Sequence, residues 1–145
     1  PVSMMKTIEL DMEKAYTGCT LPVEVTRMIA EGNIQREETE TLYVQIPEGI
    51  DDNEIIMVEG KGNIIDETNK GDLKIFIRVK NNTEFVRNGL DITYHKTISL
   101  KEALCGFSFD LKYIDGRVFK INNGNGNVIS ADYKKMIPNM GMKRN

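Results

Sequence analysis

The chain has 145 residues, a formal net charge of −3 and 40% apolar residues. That is enough to bury a core as one domain or as two small ones, although either half alone lies near the lower limit of independent stability. Acids and bases are interspersed without a basic stripe or arm, which argues against nucleic acid or an anionic membrane as partner. No run approaches the ~18 consecutive apolar residues of a membrane span and the first five residues are too short for a signal peptide, so a cytoplasmic protein is expected.

Alternating apolar residues predict strands over residues 6–10, 21–30, 34–46, 54–58 and 72–79, with a hairpin turn at Glu31-Gly32-Asn33 and a break at Pro47-Glu48-Gly49. Between the first two strands, Asp11 is a candidate N-cap for a short helical turn that Gly18 closes. A polar break at Asn81-Asn82-Thr83 leads into strands over residues 92–98, 107–114 and 118–121, with a turn at Asp115-Gly116 and a glycine- and asparagine-rich bend over residues 122–127. Ser99, with Glu102 three residues on, has the spacing of a capping box ahead of Gly106; Asp11 with Lys14 lacks the second half of that box.

These elements are written twice. Superimposing Gly18 on Gly106 brings Leu10 onto Ile98, Met12 onto Leu100, Ala15 onto Ala103 and Tyr16 onto Leu104, and a repeat of this kind predicts two similar units in tandem. The expected fold is mainly β, with two tandem β-sandwich domains over residues 1–84 and 85–145, each carrying a short helical turn. The second copy is expected to lack its last strand. Gly60-Lys61-Gly62 is followed in the first copy by the strongly β-forming residues 72–79, whereas Asn139-Met140-Gly141-Met142 is followed only by Lys143, Arg144 and Asn145. A truncated chain would leave an open sheet edge, which is an association hazard.

The strings ISLKEALCG at residues 98–106, AYTGC at 15–19, IPEGIDD at 46–52, KGDL at 70–73 and FVRNG at 85–89, in this order, resemble the C-terminal substrate-binding region of DnaJ-type co-chaperones. The resemblance implies two β-sandwich domains joined near Phe85, without the dimerisation segment that follows them in that family. It points to the subclass without a zinc-binding insert, because residues 28–36 stand where the repeated Cys-x-x-Cys would lie. The histidine of a J domain's His-Pro-Asp loop is also missing, since His95 is the chain's one histidine and Lys96 follows it. The chain alone is therefore expected not to stimulate a DnaK-class ATPase, and no cofactor is implied.

The function implied is capture of exposed apolar segments of unfolded client proteins and their presentation to a DnaK-class chaperone. A receptor for such segments needs a shallow apolar channel or a free strand edge. Carried over residue by residue, the resemblance places a peptide groove on Val23 and Val25 of one strand, Leu42 and Val44 of the facing strand, and Phe85 as an aromatic at the domain junction. The two-residue spacing within each pair puts its members on one face. Periodicity alone equally describes the core of a sandwich, so a generic β-sandwich interaction module without client holding stands as the alternative. Basic residues that could hold the acidic tail of the DnaK-class partner reduce to Arg27 and Lys61, with Glu24 opposing them; a solvated surface role for both is the plainer expectation.

The remaining candidates read as structural. Glu37, Glu38, Glu40 and Glu48 fall in a charged strand or turn and are expected to form a solvated face, not a converging acid/base pair. His95 has no metal-spaced companion, and Gly124-Asn125-Gly126-Asn127 lacks the Lys-Ser and helix of a phosphate loop. Cys19 and Cys105 are expected to be ordinary reduced thiols. Met136, Met140 and Met142 could line an adaptable surface or belong to a frayed terminus. No nucleophile, base and orienting group occur together, so no enzyme is expected.

Overall fold

The structure, a computed structural model, describes residues 2–123, 137 and 140–144. The chain divides into two compact units, Pro1–Asn82 with Arg144–Asn145, and Thr83–Lys143. The fold is mainly β, with two short helices.

Unit 1 is built from β1 (Met4–Asp11), α1 (Met12–Thr17), β2 (Cys19–Glu31), β3 (Ile34–Ile46), β4 (Ile55–Val58) and β5 (Leu73–Lys80). β2 and β3 form a long antiparallel hairpin in which Cys19 pairs with Ile46 and Glu31 with Ile34, and Gly32 takes the left-handed conformation that its tight turn needs, with φ 63°. The second sheet has the order β1-β5-β4. β5 lies parallel to β1, with Met4 beside Leu73 and Asp11 beside Lys80, and antiparallel to β4. Leu73, Ile75 and Ile77 of β5 are all at 0% exposure, as expected of a strand with a neighbour on each side and a packed inner face. α1 follows from its caps: the Asp11 carboxylate accepts from the Lys14 amide at 2.9 Å, and the Gly18 amide donates to the Lys14 carbonyl at 2.8 Å. It buries Met12, Ala15 and Tyr16 and packs on β1 and β5.

Unit 2 repeats the plan with β6 (Phe85–Asn88), β7 (Asp91–Tyr94), α2 (Leu100–Cys105), β8 (Phe107–Lys112) and β9 (Val118–Asn123), the strands paired as β6-β7 and β8-β9. The predicted capping box is present on α2, with Ser99 and Glu102 bonding reciprocally. The duplication also extends to a close backbone approach. In unit 1 the Asn63 amide donates to the Val2 carbonyl at 2.9 Å, and in unit 2 the Met142 amide donates to the Leu90 carbonyl at 2.8 Å. A Cβ added to the preceding glycine would meet that same carbonyl oxygen, at 2.9 Å for Gly62 and 2.5 Å for Gly141. Met142 is correspondingly buried, so it belongs to the packed part of unit 2 and not to a frayed end.

Several expectations are corrected. Residues 85–88 form a strand that no alternation had marked. The strand expected over residues 92–98 ends at Tyr94, and that over 107–114 ends at Lys112. His95 lies beyond β7 and is exposed, so it is not a core residue. The bend at residues 122–127 runs outside the described residues beyond Asn123, as do Gly124-Asn125-Gly126-Asn127 and Met136.

The two helices, although matched in sequence, are packed differently. α1 buries Met12 at 1% and Tyr16 at 9%, whereas their counterparts Leu100 and Leu104 are 76% and 51% exposed. Truncation should therefore separate the copies. Ile75→Ala in β5 is expected to destabilise unit 1 by about 2–5 kcal/mol, and Leu104→Ala to change unit 2 by less than about 1 kcal/mol, measured as urea unfolding followed by amide exchange within each unit.

Candidate peptide-binding site

Four of the five predicted groove residues share one face of the β2-β3 hairpin. Val23 stands opposite Leu42, Val25 opposite Glu40, and Val44 opposite Leu21. Val23, Val25 and Val44 are buried while Leu21 and Leu42 are half-buried, so the apolar surface accessible on this face is centred on the Leu21 and Leu42 margin. Phe85 belongs to unit 2, where it is buried and its ring lies 5.3 Å from Tyr94 and 5.2 Å, edge-on, from Tyr113.

Toward the hairpin tip the same face turns from apolar to ionic. Arg27 is 3% exposed and its guanidinium reaches Glu38 at 3.1 Å and Glu40 at 2.5 Å, while its Nε donates to the Lys61 carbonyl at 3.3 Å. The Lys61 ammonium completes the set, 3.0 Å from Glu40. Glu38 and Glu40 are half-buried partners of Arg27, which corrects their reading as solvated. Arg27 is no surface base either: it is a buried cation neutralised by this chain's own carboxylates. Paired carboxylates two residues apart on β3, opposite an arginine on β2, are the signal that strand alternation alone does not weigh. Glu40 is held below the ordinary glutamate range by the hydrogen bonds from Lys61 and Arg27.

The edge of β2 that faces away from β3 is the other candidate feature. At its far end the Ala30 amide donates to the Ile64 carbonyl at 2.8 Å, and the Ile64 amide to the Met28 carbonyl at 2.9 Å. Alternation then directs the backbone groups of Thr20, Pro22, Glu24 and Thr26 to the same edge. Among the described residues no strand pairs with it between Cys19 and Arg27. Two residues moderate it: Pro22 has no amide to offer, and the Lys6 ammonium donates to the Glu24 carbonyl.

Elsewhere in unit 1, a shallow depression of about 250 Å³ is lined by Glu9, Leu10, Asp11, Lys80 and Asn82. A second, of about 320 Å³, lies between Thr17–Thr20 and Gln45–Glu48. Neither includes Val23 or Leu42. Cys19 is half-buried and Cys105 exposed, both as free thiols; burial pushes the Cys19 thiol up from its ordinary range, which disfavours the nucleophilic thiolate. Among the described residues no group of three or more His, Cys, Asp or Glu is disposed to hold a metal, and no helix is long and apolar enough to cross a membrane.

Two similar β units, each with a capped helical turn ahead of a β-hairpin, and the first with a long hairpin carrying an apolar face, define a duplicated β-sandwich-like protein. The family model of the DnaJ C-terminal domain matches residues 4–145, and the chain belongs to that family. It is 35% identical over 106 residues to DnaJ protein homolog 1 of Allium porrum, covering 73% of this chain and 27% of that protein. It is 35% identical over 105 residues to Chaperone protein dnaJ 3 of Arabidopsis thaliana, covering 72% and 25%, and 35% identical over 105 residues to DnaJ homolog subfamily A member 4 of Mus musculus, covering 72% and 26%. The matched part is thus about a quarter of the length of these relatives.

The ionic cluster ties the hairpin's stability to pH. A carboxyl depressed in the folded state stabilises fully above its ordinary range, and that contribution is lost as pH falls through the depressed value. Acidification below the ordinary glutamate range should lower the denaturation midpoint of unit 1, and Glu40→Gln should flatten that dependence in urea titrations across acid pH.

Proposed function

We propose that this chain is the client-holding part of a DnaJ-type co-chaperone, acting in the cytoplasm without catalysis of its own. It takes extended apolar segments of unfolded proteins onto the first unit for transfer to a DnaK-class chaperone. The observation that carries the reading is the unpaired β2 edge beside the half-buried Leu21 and Leu42. A visiting strand can satisfy its backbone on Thr20, Glu24 and Thr26 while it sets alternate side chains against the Leu21 and Leu42 margin. Val23, Val25 and Val44 form the floor beneath that margin. Burying one client Leu or Phe yields about 1.5–3 kcal/mol before ordering costs, so binding is weak and broad.

Continuity of the hairpin from Arg27 to Arg36, closed by a tight turn, supports membership of the subclass without a zinc insert. An acidic tail of the partner chaperone would meet Lys61, because Arg27 is occupied by Glu38 and Glu40. The burial of Val23, Val25 and Val44 favours the competing reading of a β-sandwich interaction module whose groove is filled by its own side chains.

A titration of a fluorescent apolar peptide separates the two. Leu42→Asp is expected to weaken binding about tenfold or more, equivalent to about 1.4 kcal/mol, while Tyr43→Asp on the opposite face of β3 leaves it unchanged. Lys6→Met, which frees the Glu24 carbonyl, is expected to tighten it several-fold. Equal affinities for the folded wild-type and Leu42→Asp chains would assign the hairpin face to structure alone.

A further inference from the structure

The β1-β5-β4 sheet of unit 1 has two faces, and among the described residues only one of them is covered. Leu73, Ile75 and Ile77 of β5 are at 0% exposure, so alternation turns Lys74, Phe76 and Arg78 to the other side. Register fixes their neighbours: Lys74 lies between Met5 of β1 and Met57 of β4, and Phe76 between Thr7 and Ile55. Met5, Ile55 and Met57 are 63%, 52% and 49% exposed, and Phe76 is half-buried. Two adjacent rows across the three strands thus hold these four apolar side chains on one open face. A parallel pair such as β1-β5 is ordinarily covered on both faces, and contiguous exposed apolar surface marks a contact surface.

The chemistry of the face selects its occupant. The backbone of β5 is engaged in the ladders to β1 and β4, so a guest lying on the face gains no main-chain bonds and must satisfy its own, as an α-helix does. Three strands present a platform about 10 Å across, which is the diameter of one helix. Charge narrows the choice further. Lys74 is half-buried at the centre of its row and forms no ion pair among the described residues. Arg78, by contrast, is held at the far end, 5.5 Å from the centre of the Phe76 ring and 3.8 Å from Asp52. An apolar helix that brings a carboxylate to Lys74 therefore complements this face in both hydrophobicity and charge. A second copy is a poorer match, because self-complementary packing of the face brings one Lys74 toward the other.

We propose that the outer face of the β1-β5-β4 sheet docks an amphipathic helix of another protein, with Met5, Ile55, Met57 and Phe76 receiving its apolar stripe and Lys74 pairing with an acid beside that stripe. Methionine suits such a surface, since its unbranched, polarisable side chain adapts to the shape of its partner. The face shares no residue with the hairpin margin and does not depend on client holding there.

The probe is the peptide SAELAQLEAQLAQAR, stapled through its sixth and tenth positions to hold it helical. Leu at the fourth, seventh and eleventh positions forms the stripe and Glu at the eighth flanks it. It is titrated into the full chain and followed by fluorescence anisotropy and by the methionine methyl NMR signals. Saturable binding that shifts the Met5 and Met57 methyls and leaves that of the buried Met12 in place is expected. Met57→Asp, at an exposed position, should weaken binding about tenfold or more. Lys74→Gln should abolish, and Lys74→Glu reverse, the preference for this peptide over its counterpart with Lys at the eighth position, whereas Leu42→Asp should alter neither affinity nor preference. No saturable binding, methyl shifts confined to Met28 or elsewhere outside the sheet, an unchanged preference in Lys74→Gln, or self-association that shifts Met5 and Met57 without peptide would each overturn the proposal.

Discussion

The organisation of this molecule depends on one strand, β5, laid parallel to β1 and antiparallel to β4. A parallel neighbour cannot be reached by a tight turn; the chain must travel out and back before it can insert, and here that journey takes in α1, the hairpin and β4. When β5 arrives it brings Leu73, Ile75 and Ile77 to complete burial, extends pairing along the whole of β1 and gives α1 a surface to pack on. In unit 2 the same helical turn, capped at least as well, leaves Leu100 and Leu104 exposed among the described residues. Capping decides where the turn starts and stops. Packing decides whether its apolar face is used.

The hairpin raises a different problem. A two-stranded sheet is marginal in water, and β2-β3 pairs with no third strand among the described residues except at the Ile29–Ile64 bridge. Its stability must come from the buried face and from the point where residues 61–64 cross its tip. Arg27 acts at that point. Its guanidinium ties β2 to Glu38 and Glu40 of β3 and to the Lys61 carbonyl, and the Asn63 side chain accepts from the Met28 amide at 2.8 Å. Removing one partner from such a cluster is more damaging than the net worth of its ion pairs, since the remaining charge is left partly desolvated.

Much of this was legible in the residues. The hairpin strand at residues 34–46 was placed with its observed bounds, as were both helical turns with their capping residues, because alternation and caps are local signals and the turn glycines require backbone angles that other residues avoid. The duplication was readable from Ala15 and Ala103 beside Gly18 and Gly106. β6 escaped because its four residues, Phe85–Asn88, are too few to show a period, and its pairing with β7 depends on Gly89, a turn whose context lies outside either strand. The Arg27 cluster escaped for a related reason: Glu38 and Glu40 look solvated on their own strand, and only the register of β2 against β3, which puts Glu38 opposite Arg27, shows their partner. For the hairpin face the residues supplied its membership, but not its depth. Val23 and Leu42 share one periodicity and differ in exposure, a difference that alternation does not carry.

The chemistry of the exposed edges follows from the same geometry. An unpaired strand edge recruits any extended backbone, which is a hazard when it is long and apolar and a means of recognition when it is short and moderated. On β2 the edge is interrupted at Pro22, which has no donor, and occupied at Glu24 by the Lys6 ammonium. A visiting segment must therefore displace a solvated lysine and accept a gap in its ladder, and backbone pairing alone gives it little advantage over water. On the proposed client-holding reading, side chains set against Leu21 and Leu42 supply the difference, so that an apolar segment would be retained and a polar one released. Recognition of this kind reads hydrophobicity and extension instead of sequence, the properties that distinguish an unfolded chain from a folded one.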